Sequence, residues 1–241
     1  MTDRQSAAPA GLARLSGLGY LVIIVAGIFA EFFVRGGLIV PGDGPATLAA
    51  IRGAETLYRS SLASEFLMLV SDVMLAGALY LLFRAVSRPL ALIAATFRLT
   101  HAAIVGANLL NAYLPLLLLH GAGTPAGALR AESLTLVYLD AHAYGYAVGL
   151  VFFGVHCLLL GTLILRATGV PRLLGALLLL AGLGYLVDSL GRTLLVDYAA
   201  SAGLFQTLVF VPAFVGELSF CLWLLIRGDR GRPRPRVQAA V

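Results

Sequence analysis

Long apolar runs broken by short polar interruptions dominate the chain. Six of them stand at about 15–38, 61–83, 90–119, 134–165, 172–196 and 204–226. A helix needs roughly twenty mainly apolar residues to cross a hydrocarbon core about 30 Å thick, and each run meets that length. Turn and breaker signals separate them: "PGDGP" at 41–45, "SRP" at 87–89, "GAGTPAG" at 121–127, "TGVP" at 168–171 and "ASAG" at 200–203. The pattern predicts an all-α fold, a polytopic membrane bundle of about six transmembrane helices. The third and fourth runs exceed what a span requires, which predicts tilt or protrusion. Arg4 and Arg14 precede the first run as in a signal peptide. The run nevertheless continues from Leu15 without a small-residue cleavage pattern, so an uncleaved first helix is expected.

Composition sharpens this reading. Of 241 residues, 60% are hydrophobic and 12% charged, against about a quarter charged in a soluble domain. The net charge of +5 comes largely from the tail "RGDRGRPRPRVQ" at 227–238. The arginines cluster beside the runs, where membrane topology accounts for them, so no nucleic-acid partner is expected. Cys157 and Cys221 both fall inside apolar runs and supply neither a disulfide framework nor zinc spacing.

Arginine placement orients the chain. With the N-terminus cytoplasmic, eleven arginines fall inside (Arg4, Arg14, Arg84, Arg88, Arg166, Arg172 and five in the tail). Four fall outside (Arg35, Arg52, Arg59 and Arg130), and Arg98 and Arg192 lie within spans. Excess positive charge marks the cytoplasmic side, so both termini are expected there. Residues 1–14 then form a cytoplasmic segment, 15–226 a six-helix transmembrane domain, and 227–241 a basic, disordered cytoplasmic tail. Within the first outer loop Arg52, Glu55 and Arg59 share one helical face, and Leu48, Ile51 and Tyr58 share another. That pattern predicts an interfacial helix at about 46–60, with an early start of the second span or a plain solvated extension as the alternatives.

Ionisable groups inside spans are costly, and by default they face the bundle interior and mark function. Asp72 is twelve residues from Arg84, while Arg98 and His101 are ten and thirteen from Arg88. His156 is ten from Arg166, and Glu217 ten from Arg227. At about 1.5 Å per residue all five fall near mid-bilayer, at roughly 15–20 Å depth. A second layer lies nearer the outside: Glu31, Glu65, Asn108, Asn111, Asp140, His142, Asp188 and Arg192. Glu65 and Asp72 are seven apart, as are His101 and Asn108, and His142 and His156 are fourteen apart; each spacing returns to one helix face. The candidates for binding a ligand or proton are therefore Asp72, Arg98, His101, Asn108, His142, His156 and Glu217. Glu31–Arg35 and Asp188–Arg192 are spaced as structural i,i+4 ion pairs. Gly145 and Gly149 form a small-xxx-small pair on the histidine face, which predicts close packing against protein there.

At "LDAHAYGYAVGLVFFGVHCLLLG" (139–161), "FRLTHAAIVGANLLN" (97–111) and "LLLLAGLGYLVDS" (177–189) the chain resembles a bacterial membrane family, domain of unknown function 4386. The resemblance extends from "LSGLGYLVIIVAGIFAEFFVRGGLIVPGD" to "ELSFCLWLLI". It implies a multi-pass protein of the bacterial cytoplasmic (inner) membrane and carries over no catalytic residue.

Four function classes fit the residues. A transporter- or receptor-like protein would use the mid-bilayer cluster to bind a small molecule or proton. An intramembrane metal enzyme would hold zinc with His101, His156 and Asp72 or Glu217, although no local ligand motif such as HExxH is present. A b-type haem protein would use His101 with His156, or His120 with His142. A structural or partner-binding subunit would need no site. The partners expected are the lipid bilayer and a small-molecule ligand at the cluster; cofactor, ligand identity and oligomeric state stay open.

Overall fold

The computed structural model describes residues 11–121, 123–227 and 233–235. The expected segment 1–14 lies outside this description up to residue 10. Most of the expected tail 227–241 lies outside it as well. Seven helices account for nearly all of the described residues: α1 (Leu12–Leu38), α2 (Gly44–Gly53), α3 (Glu55–Phe83), α4 (Arg88–Gly121), α5 (Pro125–Arg166), α6 (Arg172–Leu194) and α7 (Tyr198–Ile226). In lipid the backbone must satisfy its own hydrogen bonds, and a helix does so within one segment. The protein is accordingly an all-α, multi-pass membrane protein. Among the described residues, five helices (α1, α3, α4, α5 and α6) are long and apolar enough to cross a membrane, and Val211–Ile226 of α7 is a shorter apolar stretch. Large apolar side chains such as Phe33, Leu110 and Leu173 are about 70% exposed on the protein surface, which suits a hydrocarbon surround.

Local chemistry sets the helix ends. Asp43 caps α2 by accepting from the Ala46 amide at 2.8 Å, with Pro45 in the first turn. The chain breaks at Ala54, so α2 is a separate helix and α3 starts at Glu55 rather than at the apolar boundary near 61. Gly169, between α5 and α6, takes φ +81, a conformation that side chains resist. Within α1 the segment Phe29–Arg35 winds as a π-helix, and the Gly36 amide reaches back five residues to the Glu31 carbonyl. Arg234 and Pro235 pair antiparallel with Thr168 and Ala167.

The chain forms two compact units. The first comprises residues 1–21, 71–101 and 150–241, and the second residues 22–70 and 102–149. In the first unit, α5 and α6 meet through reciprocal glycines. A Cβ added at Gly154 would lie 2.9 Å from the Gly182 carbonyl oxygen, and one at Gly182 would lie 2.7 Å from that of Gly154. Gly161 and Gly175 repeat the arrangement at 2.8 and 2.9 Å. The partners' numbers run in opposite directions, as antiparallel helices require. Bare backbones touch at both points, the close approach that small residues permit in lipid.

The second unit is centred on Val34, Ile51, Tyr58, Leu62, Leu109 and Leu116, all buried. The Tyr58 hydroxyl donates to the Ala112 carbonyl at 2.6 Å and so ties α3 to α4. Leu48, Ile51 and Tyr58 bury the apolar face of the α2–α3 segment, while Arg59 on the other face bonds Glu55 at 2.7 Å.

Candidate functional site: a buried arginine cluster

Within the first unit, α1 and α3–α7 each send at least one polar or aromatic side chain to the same cluster. Its centre is Arg98 on α4, fully buried at 0% exposure. One terminal nitrogen donates to Asp72 Oδ1 on α3 at 2.5 Å. The other lies 3.1 Å from His156 Nε2 on α5 and 3.3 Å from the Tyr20 hydroxyl on α1. The Tyr20 and Phe153 rings hold the guanidinium carbon at 5.0 and 5.2 Å from their centroids, within cation–π range. Only Nε lacks a hydrogen-bond partner among the described residues. A charge that water would otherwise solvate is thus compensated by one carboxylate, two neutral acceptors and two ring faces.

Both nitrogens of His156 are engaged. Nδ1 lies 2.8 Å from the Ala94 carbonyl, an acceptor, so the proton sits on Nδ1. Nε2 then receives the Arg98 donor with its lone pair. The ring is a neutral spacer, and Phe153 stacks on it at 5.7 Å. His101 packs against the same Phe153 ring at 4.9 Å, with Nε2 3.7 Å from Asp72 Oδ2. Asp72 therefore faces Arg98 through one oxygen and His101 through the other.

Glu217 on α7 is also buried, yet its bonded partner is a neutral group: the Tyr185 hydroxyl of α6 donates to Oε1 at 2.5 Å. Tyr185 in turn sets its ring edge against Phe153, centroids 5.4 Å apart. The cluster holds two carboxylates and one arginine, and the arginine hydrogen-bonds Asp72.

The remaining candidates lie in the second unit. Asn108 on α4 donates to the His142 carbonyl of α5 at 2.8 Å, its Nδ2 lies 3.2 Å from His142 Nδ1, and Asn111 donates to Asn108 Oδ1 at 3.0 Å. The Asn108 amide fills the space where Gly145 would carry a Cβ. That glycine therefore admits a polar side chain to the helix surface. Arg35 bonds Glu31 at 2.8 Å and also the buried Glu65 of α3, which makes the expected pair a triad. Glu65 Oε2 has no hydrogen-bond partner among the described residues. His120 lies 2.9 Å from Glu55 and 3.4 Å from Arg59. In the first unit, the Tyr198 hydroxyl joins Asp188 to Arg192, donating to Asp188 at 2.5 Å with Arg192 3.5 Å away.

Tyr20, Phe153, Tyr185 and Tyr198 are the residues that sequence reasoning passed over. A signal existed for the tyrosines, because a hydroxyl inside an apolar run must find a partner. No group of three His, Cys, Asp or Glu residues among those described is arranged to hold a metal ion. Zinc or haem ligation by His156 would also have to break its Arg98 bond.

The family model for domain of unknown function 4386 matches residues 15–228. The chain belongs to this family. An uncharacterised protein of the archaeon Archaeoglobus fulgidus is 33% identical over 177 residues, covering 73% of this chain and 86% of that protein. This DUF4386 chain matches no solved structure.

Proposed function

We propose that this DUF4386 protein is a transporter- or receptor-like membrane protein whose buried cluster binds a proton or a small molecule, with Glu217 as the exchangeable group. The observation that supports the reading is the division of partners. Arg98 bonds Asp72, whereas the carboxyl of Glu217 bonds the phenol of Tyr185. A buried carboxylate without its own cation is costly, and a proton or a cationic ligand group removes that cost. In this reading Asp72, Arg98 and His156 are the fixed frame, and Asn108 with His142 forms a polar helix–helix contact in the second unit. The six-span count, the cytoplasmic placement of both termini and residence in a bacterial cytoplasmic membrane belong to the same proposal, supported by the arginine asymmetry.

Infrared difference spectroscopy between acid and alkaline buffers tests it, by comparing parent protein with Glu217→Gln in lipid. The expected result is a protonated-carboxyl carbonyl band in the parent that the variant lacks. Identical spectra from the two proteins would remove Glu217 from the role.

A further inference from the structure

The polar residues of α6 and their partners describe more than a binding point. Tyr185, Asp188, Ser189 and Arg192 follow one another at i, i+3, i+4 and i+7, the spacing that lines a single helix face. Tyr185, at one end, donates to Glu217. At the other, Asp188 and Arg192 meet Tyr198, whose ring lies 4.7 Å under the Arg192 guanidinium carbon. Exposed residues Leu195–Asp197 connect α6 to α7 just beyond them. Ser189 lies between Tyr185 and Arg192 on this face, next to Asp188, 2% exposed, with no hydrogen-bond partner for Oγ among the described residues.

We propose that this face is the proton path between the α6–α7 turn and Glu217, with water completing it at Ser189. The inference rests on the reading of Glu217 above. Side chains one helical turn apart have Cβ atoms about 5–6 Å from each other. Tyr185 and Ser189 stand one such turn apart, and in the proposed path water carries the proton between their hydroxyls. A buried hydroxyl with no partner among the described residues is where such a water would be held. The proton passes from Asp188 and Tyr198 through water to Ser189, and on through Tyr185 to Glu217. Each hydroxyl accepts one proton as it releases another, so no charge accumulates on Ser189 or Tyr185. Among the described residues, Arg98, Asp72, Tyr20 and Cys157 are in electrostatic reach of Glu217, with His101 and His156 beside Asp72 and Arg98. None of them belongs to the α6 face.

The test follows the Glu217 carboxyl band in the intact protein in lipid vesicles after a rapid change from water to deuterium oxide. Ser189→Val fills the gap with methyl groups and should slow exchange at least tenfold while leaving the equilibrium band unchanged. Ser189→Thr keeps the hydroxyl and should exchange at the parent rate. Asp188→Asn should slow exchange as Ser189→Val does. Parent-like rates in both Ser189→Val and Asp188→Asn would overturn the path and leave Glu217 as a proton site reached from elsewhere. Absence of the band from the parent would instead overturn the Glu217 reading, and the path with it.

Discussion

Replacing Arg98 with Met keeps an unbranched apolar stem and removes the charge and donors. Asp72 then stands in a protein interior without the cation 2.5 Å away, and His156 and Tyr20 each lose a donor. Stranding one member of a buried pair costs roughly 3–5 kcal/mol, and each neutral acceptor left unmet adds on the order of 1 kcal/mol. The single variant should therefore lose about 5 kcal/mol. The double variant Asp72→Leu/Arg98→Met removes the stranded charge and should lose only about 1–3 kcal/mol, because a buried pair replaced by apolar residues of similar volume is often neutral. The measurement is a double-mutant cycle by thermal and denaturant unfolding in one detergent, with Asp72→Leu as the fourth corner. A coupling energy near 3 kcal/mol is expected, with the double variant melting above Arg98→Met. If the double variant melts with or below the single one, the pair does not hold the cluster together. If Arg98→Met melts like the parent, the arginine is not buried as described.

Two further outcomes complement the spectroscopic tests above. Gly182→Ala places a methyl group 2.7 Å from the Gly154 carbonyl oxygen and should destabilise by about 1–3 kcal/mol; Gly77→Ala, with nothing within 4 Å, should be neutral or slightly stabilising in the same melting assay. Cysteines introduced at Gly123 and Gly228 should react with an impermeant thiol reagent from the outer and the cytoplasmic side respectively, and the reverse pattern would invert the proposed orientation.

Apolar length and the positions of breakers by themselves specify the fold class, because a run of about twenty apolar residues in lipid has almost no alternative to a helix. Counting along the helices also shows that Asp72, Arg98, His101, His156 and Glu217 stand at similar distances from flanking arginines. Counting fixes height along a helix but not rotation about its axis, nor which neighbour it packs against. Those two quantities decide that Arg98 takes Asp72, that Tyr185 takes Glu217, and that Tyr20 and Phe153 enclose a guanidinium 78 and 55 positions away in the chain, respectively. Tertiary packing likewise selects Gly154–Gly182 and Gly161–Gly175 as the points of helix contact from a chain of 27 glycines. The π-turn at Phe29–Arg35 carries no local sequence mark either. Arg35 is held there between Glu31 of its own helix and Glu65 of α3, and the second of these partners exists only once α1 and α3 have packed.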